Sequence, residues 1–234
     1  MNVFYRRLTR KQTGSKMDNI KSESIKIVTP VGTRFRYSYL VTPDEYLGVE
    51  KWKTEALIPA GTQTKDDEGN LVEATTFIVD KLEGLLESWK AQLKAAFPNK
   101  NFTLTKSSKT GQPSFPWSFE DDNLVIRLKK NYKGMKGINT PVTFYKHDAQ
   151  SGQNVLMNED ERQTMDKISP ETTGQIAFLA SGYDAGGNGV GIRCLPLSIC
   201  FRDIVPWQGG GASDFETTEP SSYEEKATAT AADF

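Results

Sequence analysis

One stretch of this 234-residue chain keeps a helical period, and the other apolar runs keep period two. Within residues 75–97, Ile78, Leu82, Leu85, Trp89, Leu93 and Ala96 recur at spacings of 4, 3, 4, 4 and 3. That is a single apolar stripe on a helix, which Pro98 stops. Residues 31–42 alternate instead. Val31, Thr33, Phe35, Tyr37, Tyr39 and Val41 fall on one side, and Arg34, Arg36 and Ser38 on the other. Residues 49–59 (closed by Pro59), 123–132, 141–148, 175–181 and 190–205 read as further strands. The glycine-rich GYDAGGNG joins the last two as a hairpin, and Pro196 predicts a bulge or an edge position. About six or seven strands, one long helix and no strand–helix–strand alternation exclude a doubly wound sheet. The pattern predicts a mainly β protein: an OB-fold, a five-stranded Greek-key barrel, with one inserted α-helix and extra strands.

No apolar run approaches the roughly 20 residues of a membrane-spanning helix, and the charged N-terminus has no apolar segment after it, unlike a secretory signal. Cys194 and Cys200 stand six apart in one strand. Even spacing places them on one face, too far apart to bridge, and reduced cysteines fit a bacterial or cytosolic setting. The formal net charge is −1, but it is unevenly spread. Residues 1–26 hold seven Lys/Arg against two acids, net +5, whereas residues 212–234 hold six acids against Lys226, net −5. The chain therefore divides into a basic arm (1–26), a body (27–208) and a flexible acidic tail (209–234). Opposite charges at the two ends suggest a polyanionic partner and a mobile element that competes with it.

Catalytic constellations are scarce. His147 is the single histidine, and with two cysteines it makes neither a nucleophilic triad nor a zinc site. KDDEGN has the acid spacing of a turn and not of a calcium loop, and GGNGVG lies between two strands with no helix to receive a pyrophosphate. No cofactor, metal or enzymatic activity is expected. Binding signals are stronger. Cations and rings interleave in RFRYSY, EKWKTE and IRLKKNYKGMKG, and residues 100–136 carry eight Lys/Arg against three acids. Single-stranded nucleic acid asks for this mixture, because cations track phosphates and rings stack on unpaired bases. The helix balances Asp80, Glu83 and Glu87 against Lys81, Lys90 and Lys94, so it does not read a duplex groove. The candidates from the residues alone are Arg34, Arg36, Tyr37, Tyr39, Trp52 and, in its polar loop, Tyr183. Strand aromatics such as Phe35 and Trp52 are more often core than stacking platform.

In this order, YSYLVTPDEY, WKTEALIP, VIRLKKNY, PVTFYKHD, the hairpin GYDAGGNGVGIRCLPLSICFRDIVPWQGGG and an acidic tail ending Asp233–Phe234 carry a resemblance. The chain resembles the single-stranded-DNA-binding proteins of short-tailed phages of the T-seven type over about 35–211 and the tail. The resemblance implies an OB-fold that coats single-stranded DNA in phage replication and recombination, in the cytoplasm of an infected bacterial host. It implies DNA contacts at Arg127, Lys129, Tyr132 and Tyr183, with a cation at Lys51 or Lys53. It further implies a tail (Glu224, Glu225, Asp233, Phe234) that contacts the phage DNA polymerase and helicase-primase and occupies the DNA groove when DNA is absent. A homodimer is compatible with it, and the basic arm adds an expectation of duplex binding. The alternative is a non-catalytic adaptor that docks replication partners without touching DNA.

Overall fold

The computed structural model describes residues 20, 22–46, 48–133, 141–166, 168–185 and 189–207. In chain order the elements are β1 (Ser24–Val28), β2 (Thr33–Tyr46), β3 (Val49–Pro59), β4 (Gln63–Lys65), β5 (Leu71–Glu73), α1 (Ala74–Ala96), β6 (Trp117–Glu120) and β7 (Asn123–Asn131). They continue with β8 (Thr143–Asp148), β9 (Gln153–Leu156), α2 (Glu159–Gln163), β10 (Thr173–Asp184) and β11 (Val190–Asp203). One sheet runs β6-β7-β3-β2-β10-β11-β8-β9, with β1 also on β10. Among the described residues only β8 and β11 pair as parallel strands, and five of the ten connections between successive strands are antiparallel hairpins. This is the OB arrangement, with α1 inserted on the way from β3 to β7.

Period-two alternation decides which side of each strand is buried. On β3, Trp52, Thr54, Ala56 and Ile58 point inward, and on β7 Leu124, Ile126 and Leu128 do so. They meet Phe35, Phe178 and Phe201, and Phe35 sits edge-on to Phe201 at 5.8 Å between ring centres. The predicted stripe of α1 is buried at Ile78, Leu82, Leu85, Trp89 and Leu93, while Ala96 is exposed in the last turn. Truncating Leu82 to Ala removes fully buried methyls and costs about 2–5 kcal/mol.

The helix begins on an uncommon cap. The Glu73 carboxylate accepts the Thr76 amide at 2.7 Å and the Thr75 hydroxyl. Burial raises its pKa, but the bonds from Thr75 and Thr76 prevail and hold it at about 2.

Two of the four register shifts in the β10–β11 and β2–β3 pairings bear on the cysteines and on the candidate site. Along β10–β11, Ala177 pairs with Ser198 but Phe178 pairs with Pro196, so Leu197 is an extra residue beside the proline. The expected bulge is therefore present, and it inverts the phase of β11. Cys194 is buried in the core, whereas Cys200 lies on the other side, so the two do not share a face as even spacing predicted. Both thiols are free, and burial raises the pKa of each, that of Cys194 to about 12. The second irregularity is in β2 and shapes the candidate site. β1 also brings Ser24 to Lys26, assigned above to the arm, into the sheet on Ala180 and its neighbours.

Candidate nucleic-acid interface

Residues directly opposite in an antiparallel pair share a face. Across β2, β3 and β7 this builds rows: Arg36–Glu55–Arg127, then Tyr39–Lys53–Lys129, then Asp44–Lys51–Asn131. All lie on the side away from Trp52, Ala56 and Leu128. Arg34 occupies the row before, opposite Leu57. One outward face thus gathers Arg34, Arg36, Tyr39, Lys51, Lys53, Arg127 and Lys129. Lys53 stands directly opposite Lys129, a like-charge pair that repels in the absence of a counter-anion.

The β2 irregularity makes this face possible. On a regular strand Arg36 and Tyr39 have opposite parity. Here Arg36 pairs with Glu55 and Tyr39 with Lys53, so two residues of β2 face one of β3, Thr54. The bulge turns Tyr39 outward and puts Tyr37 in left-handed backbone at φ 50°, with both rings exposed. The Arg36 guanidinium lies 5.4 Å from the Tyr37 ring centre, and the Lys53 ammonium 4.6 Å from that of Tyr39. These are cation–π contacts.

Four groups tie the middle of the face together. Arg36 Nη2 donates to Glu120 at 2.5 Å and its Nε to Glu55 at 2.6 Å. Arg127 reaches the same two carboxylates at 3.0 and 3.5 Å and donates to Ser118 Oγ at 2.9 Å. The bonds to Glu120 and then Glu55 raise the Arg36 pKa, and Arg36 in turn holds Glu120 below the usual carboxylate range. Lys53 pairs with Asp44 at 2.7 Å. These cations are thus part-neutralised by carboxylates, which a phosphate has to exchange with.

At one end of the face is a cleft of about 580 Å3 that brings Arg127, Lys129 and Tyr183 together. Tyr183 comes from the end of β10, and α1 holds it: Trp89 Nε1 donates to the Tyr183 carbonyl at 3.1 Å. Glycines clear the space. A Cβ on Gly182 would come within 2.4 Å of the Trp89 ring, and one on Gly191 within 2.8 Å of the Tyr183 hydroxyl. Two further residues of this cleft escaped the sequence analysis. Phe115 is backed by Trp117 at 4.9 Å between ring centres, and Arg193 is oriented by its Nε bond to Ser181 Oγ at 3.0 Å. The signal for Phe115 was its place between two prolines in PSFPW; Arg193 showed only as an alternating position. Asp184 also lines the wall.

At the other end a cleft of about 630 Å3 lies against Arg36, Tyr37 and Tyr39.

Other candidates are placed elsewhere. Trp52 is buried in the core, and Tyr132 packs edge-on against it at 4.9 Å, so Trp52 has no face free for a base and Tyr132 lines neither cleft. The phase of β3 explains this: Trp52 alternates with Lys51 and Lys53, so the strand cannot expose all three on one side. Lys130, opposite Trp52, is half-buried, and that burial lowers its pKa. Glu224, Glu225, Asp233 and Phe234 of the tail, and the arm up to residue 19, lie outside the described residues. Among the described residues no group of three His, Cys, Asp or Glu is placed to hold a metal ion, and no helix is long and apolar enough to cross a membrane.

The geometry defines an OB-fold with a ringed, cationic face. No family model and no curated protein matches the chain. Among solved structures, it is similar to the crystal structure of gp2.5, a single-stranded DNA binding protein encoded by bacteriophage T7, with a TM-score of 0.59 and 15% identity over 86% of this chain and 98% of that one. That neighbour belongs to the phage type the sequence resembles, and at this identity the likeness is one of fold. The single-stranded DNA-binding protein from bacteriophage Enc34 aligns more loosely, with a TM-score of 0.42 and 14% identity over 83% of this chain and 90% of that one. Its complex with single-stranded DNA aligns at 0.39 and 15% identity over 80% and 90%.

Proposed function

We propose that the chain is a non-catalytic phage protein that binds and coats single-stranded DNA on the outward face of β2, β3 and β7. One observation carries the reading: the rows of β2, β3 and β7 collect Arg36, Lys53, Arg127 and Lys129 on a single face with rings at both ends. The OB-fold shared with a single-stranded DNA binding protein of a phage supports it.

The mechanism is exchange. Lys129 stands opposite Lys53, which holds Asp44, and an arriving phosphate bridges the two ammoniums in place of that carboxylate. Arg36 and Arg127 each donate one bond to Glu120 and swap it for phosphate oxygens, to which a guanidinium fork can donate two parallel bonds. Unpaired bases then stack on rings such as the exposed Tyr39 and the half-buried Tyr183, a contact that tolerates any sequence. Released counterions make log affinity fall linearly with log salt.

The tail, through its acids and Phe234, competes for this face and recruits replication partners such as the phage polymerase and helicase-primase. Deleting 212–234 is then expected to tighten DNA binding and abolish partner capture; a weaker-binding truncation would remove the competing role. The central test is fluorescence anisotropy of a labelled oligo-dT, and of a duplex of equal length, at two salt concentrations. Tight, salt-dependent binding of oligo-dT is expected. Failure to retain it at low salt would sink the proposal in favour of an adaptor that holds partners alone.

A further inference from the structure

We propose that the cleft of about 630 Å3 beside the β2 bulge is a second nucleobase site, in which an unpaired base lies between Trp207 and the pair Tyr37–Tyr39. This rests on the reading of the face given above and deepens it: one strand crosses from the Tyr183 cleft to this one.

Three large rings are exposed here, Tyr37 at 67%, Tyr39 at 42% and Trp207 at 53%. Water-facing aromatics gathered at one cleft mark a binding site more than a folding need. The backbone of two of them is held in place. Tyr37 sits at φ 50°, a strained backbone for a bulky residue that persists only where its surroundings impose it. Trp207 follows the end of β11, where a free ring would wander. Instead, two residues earlier, the Val205 amide donates to Thr172 Oγ1 at 3.0 Å and the Ser169 amide donates to the Val205 carbonyl at 2.8 Å. Thr172 is fully buried, so the clasp is anchored in the body, and Pro206 bridges to Ile168 on the cleft wall.

The rim selects the occupant. Arg36 and Lys53 lie against the two tyrosine rings, ready for phosphates on either side of a stacked base. Arg36 lines this cleft and Arg127 the other, and both share Glu55 and Glu120, so the phosphate path between the clefts is continuous. Of the carboxylates on the wall, Asp44 is already neutralised by Lys53, and Glu45 is an acceptor for the amino groups of a base. An apolar peptide would use the rings but bring no anion to exchange for the carboxylates that Arg36 and Lys53 hold.

The protein carries its own reporter. Of its four tryptophans, Trp52, Trp89 and Trp117 are 2%, 4% and 8% exposed, so a change in indole emission on stacking comes from Trp207. The full chain is titrated with oligo-dT and with an abasic strand of equal length, while anisotropy follows binding separately. Quenching with oligo-dT and none with the abasic strand is expected. Trp207→Phe loses the quench at strand concentrations where anisotropy shows it bound; Trp207→Ala weakens binding about tenfold and Trp207→Tyr restores it. Oligo-dT binding with unchanged emission, or a quench that survives in Trp207→Phe, overturns the inference and leaves the face intact. A quench from the abasic strand also overturns it, pointing to a chain segment displaced from the cleft. If the unaltered chain binds neither strand, the whole face fails and this site with it.

Discussion

The two ends of the candidate interface present similar chemistry on different supports. At the Tyr183 end the ring rides on a long hairpin backed by α1, with Trp89 holding its backbone and two glycines giving it room. At the Tyr37 end the rings stand on a bulge and face a tryptophan beyond the last strand, held by a buried threonine. One end is placed by core packing, the other by local strain and a clasp. A surface that must follow a polymer needs both to be present at a fixed spacing. The Arg36–Glu55–Glu120–Arg127 cluster sets that spacing, because each arginine lines one cleft while sharing both acids.

The strongest way to break the comparison is Gly182→Ala. Its new Cβ meets the Trp89 ring at 2.4 Å, and overpacking a rigid indole costs about 3 kcal/mol of stability. Urea denaturation reads that loss, and DNA affinity should fall through the Tyr183 end alone, with the Trp207 quench retained. Next come the rings themselves. Tyr183→Ala and Tyr39→Ala should each weaken oligo-dT binding by about 2 kcal/mol with little dependence on sequence. Additive losses in the double variant would show ends that act independently, and a strong departure would show that the strand engages them together.

Glu73→Ala sharpens the contrast through the helix that carries Trp89. Losing the cap costs about 1 kcal/mol at neutral pH. Because the folded pKa of about 2 lies below the ordinary 4.5, the cap's contribution is complete above pH 4.5 and is lost as pH falls toward 2. Parent and variant should therefore converge in stability across that interval, and a gap that stays constant would show that the carboxylate is not the stabilising group. The smallest effect is expected from Glu120→Gln. Freeing Arg36 and Arg127 from one shared acid should tighten DNA binding modestly and steepen its salt dependence. Weaker binding would show that Glu120 positions the arginines and does not compete with phosphate.

Much of this was legible in the chain. Strand β3 has the bounds that alternation and Pro59 predict, the helix differs by one residue at each end, and the hairpin of β10 and β11 lies where the glycine-rich loop placed it. Long periodic segments carry enough repeats to declare their period. β4, β5, β6 and β9, with three or four residues each, do not, and β1 was hidden at the edge of a basic segment. The site was legible as a composition of cations and rings, but not as an arrangement. Trp52 and Tyr132 belong by composition and are turned to the core by strand phase, while Phe115, Arg193 and Trp207 join from distant loops and strands.

Sequence by itself determined the β class, the long inserted helix and the basic-aromatic character of the chain, because local periodicity and residue chemistry are properties of short windows. Tertiary structure alone decided which residues share the face. One extra residue in β2 turns Tyr39 to the side of Arg36, and one in β11 parts Cys194 from Cys200. A bulge is defined by what the partner strand lacks, and that is a relation between segments far apart in the chain.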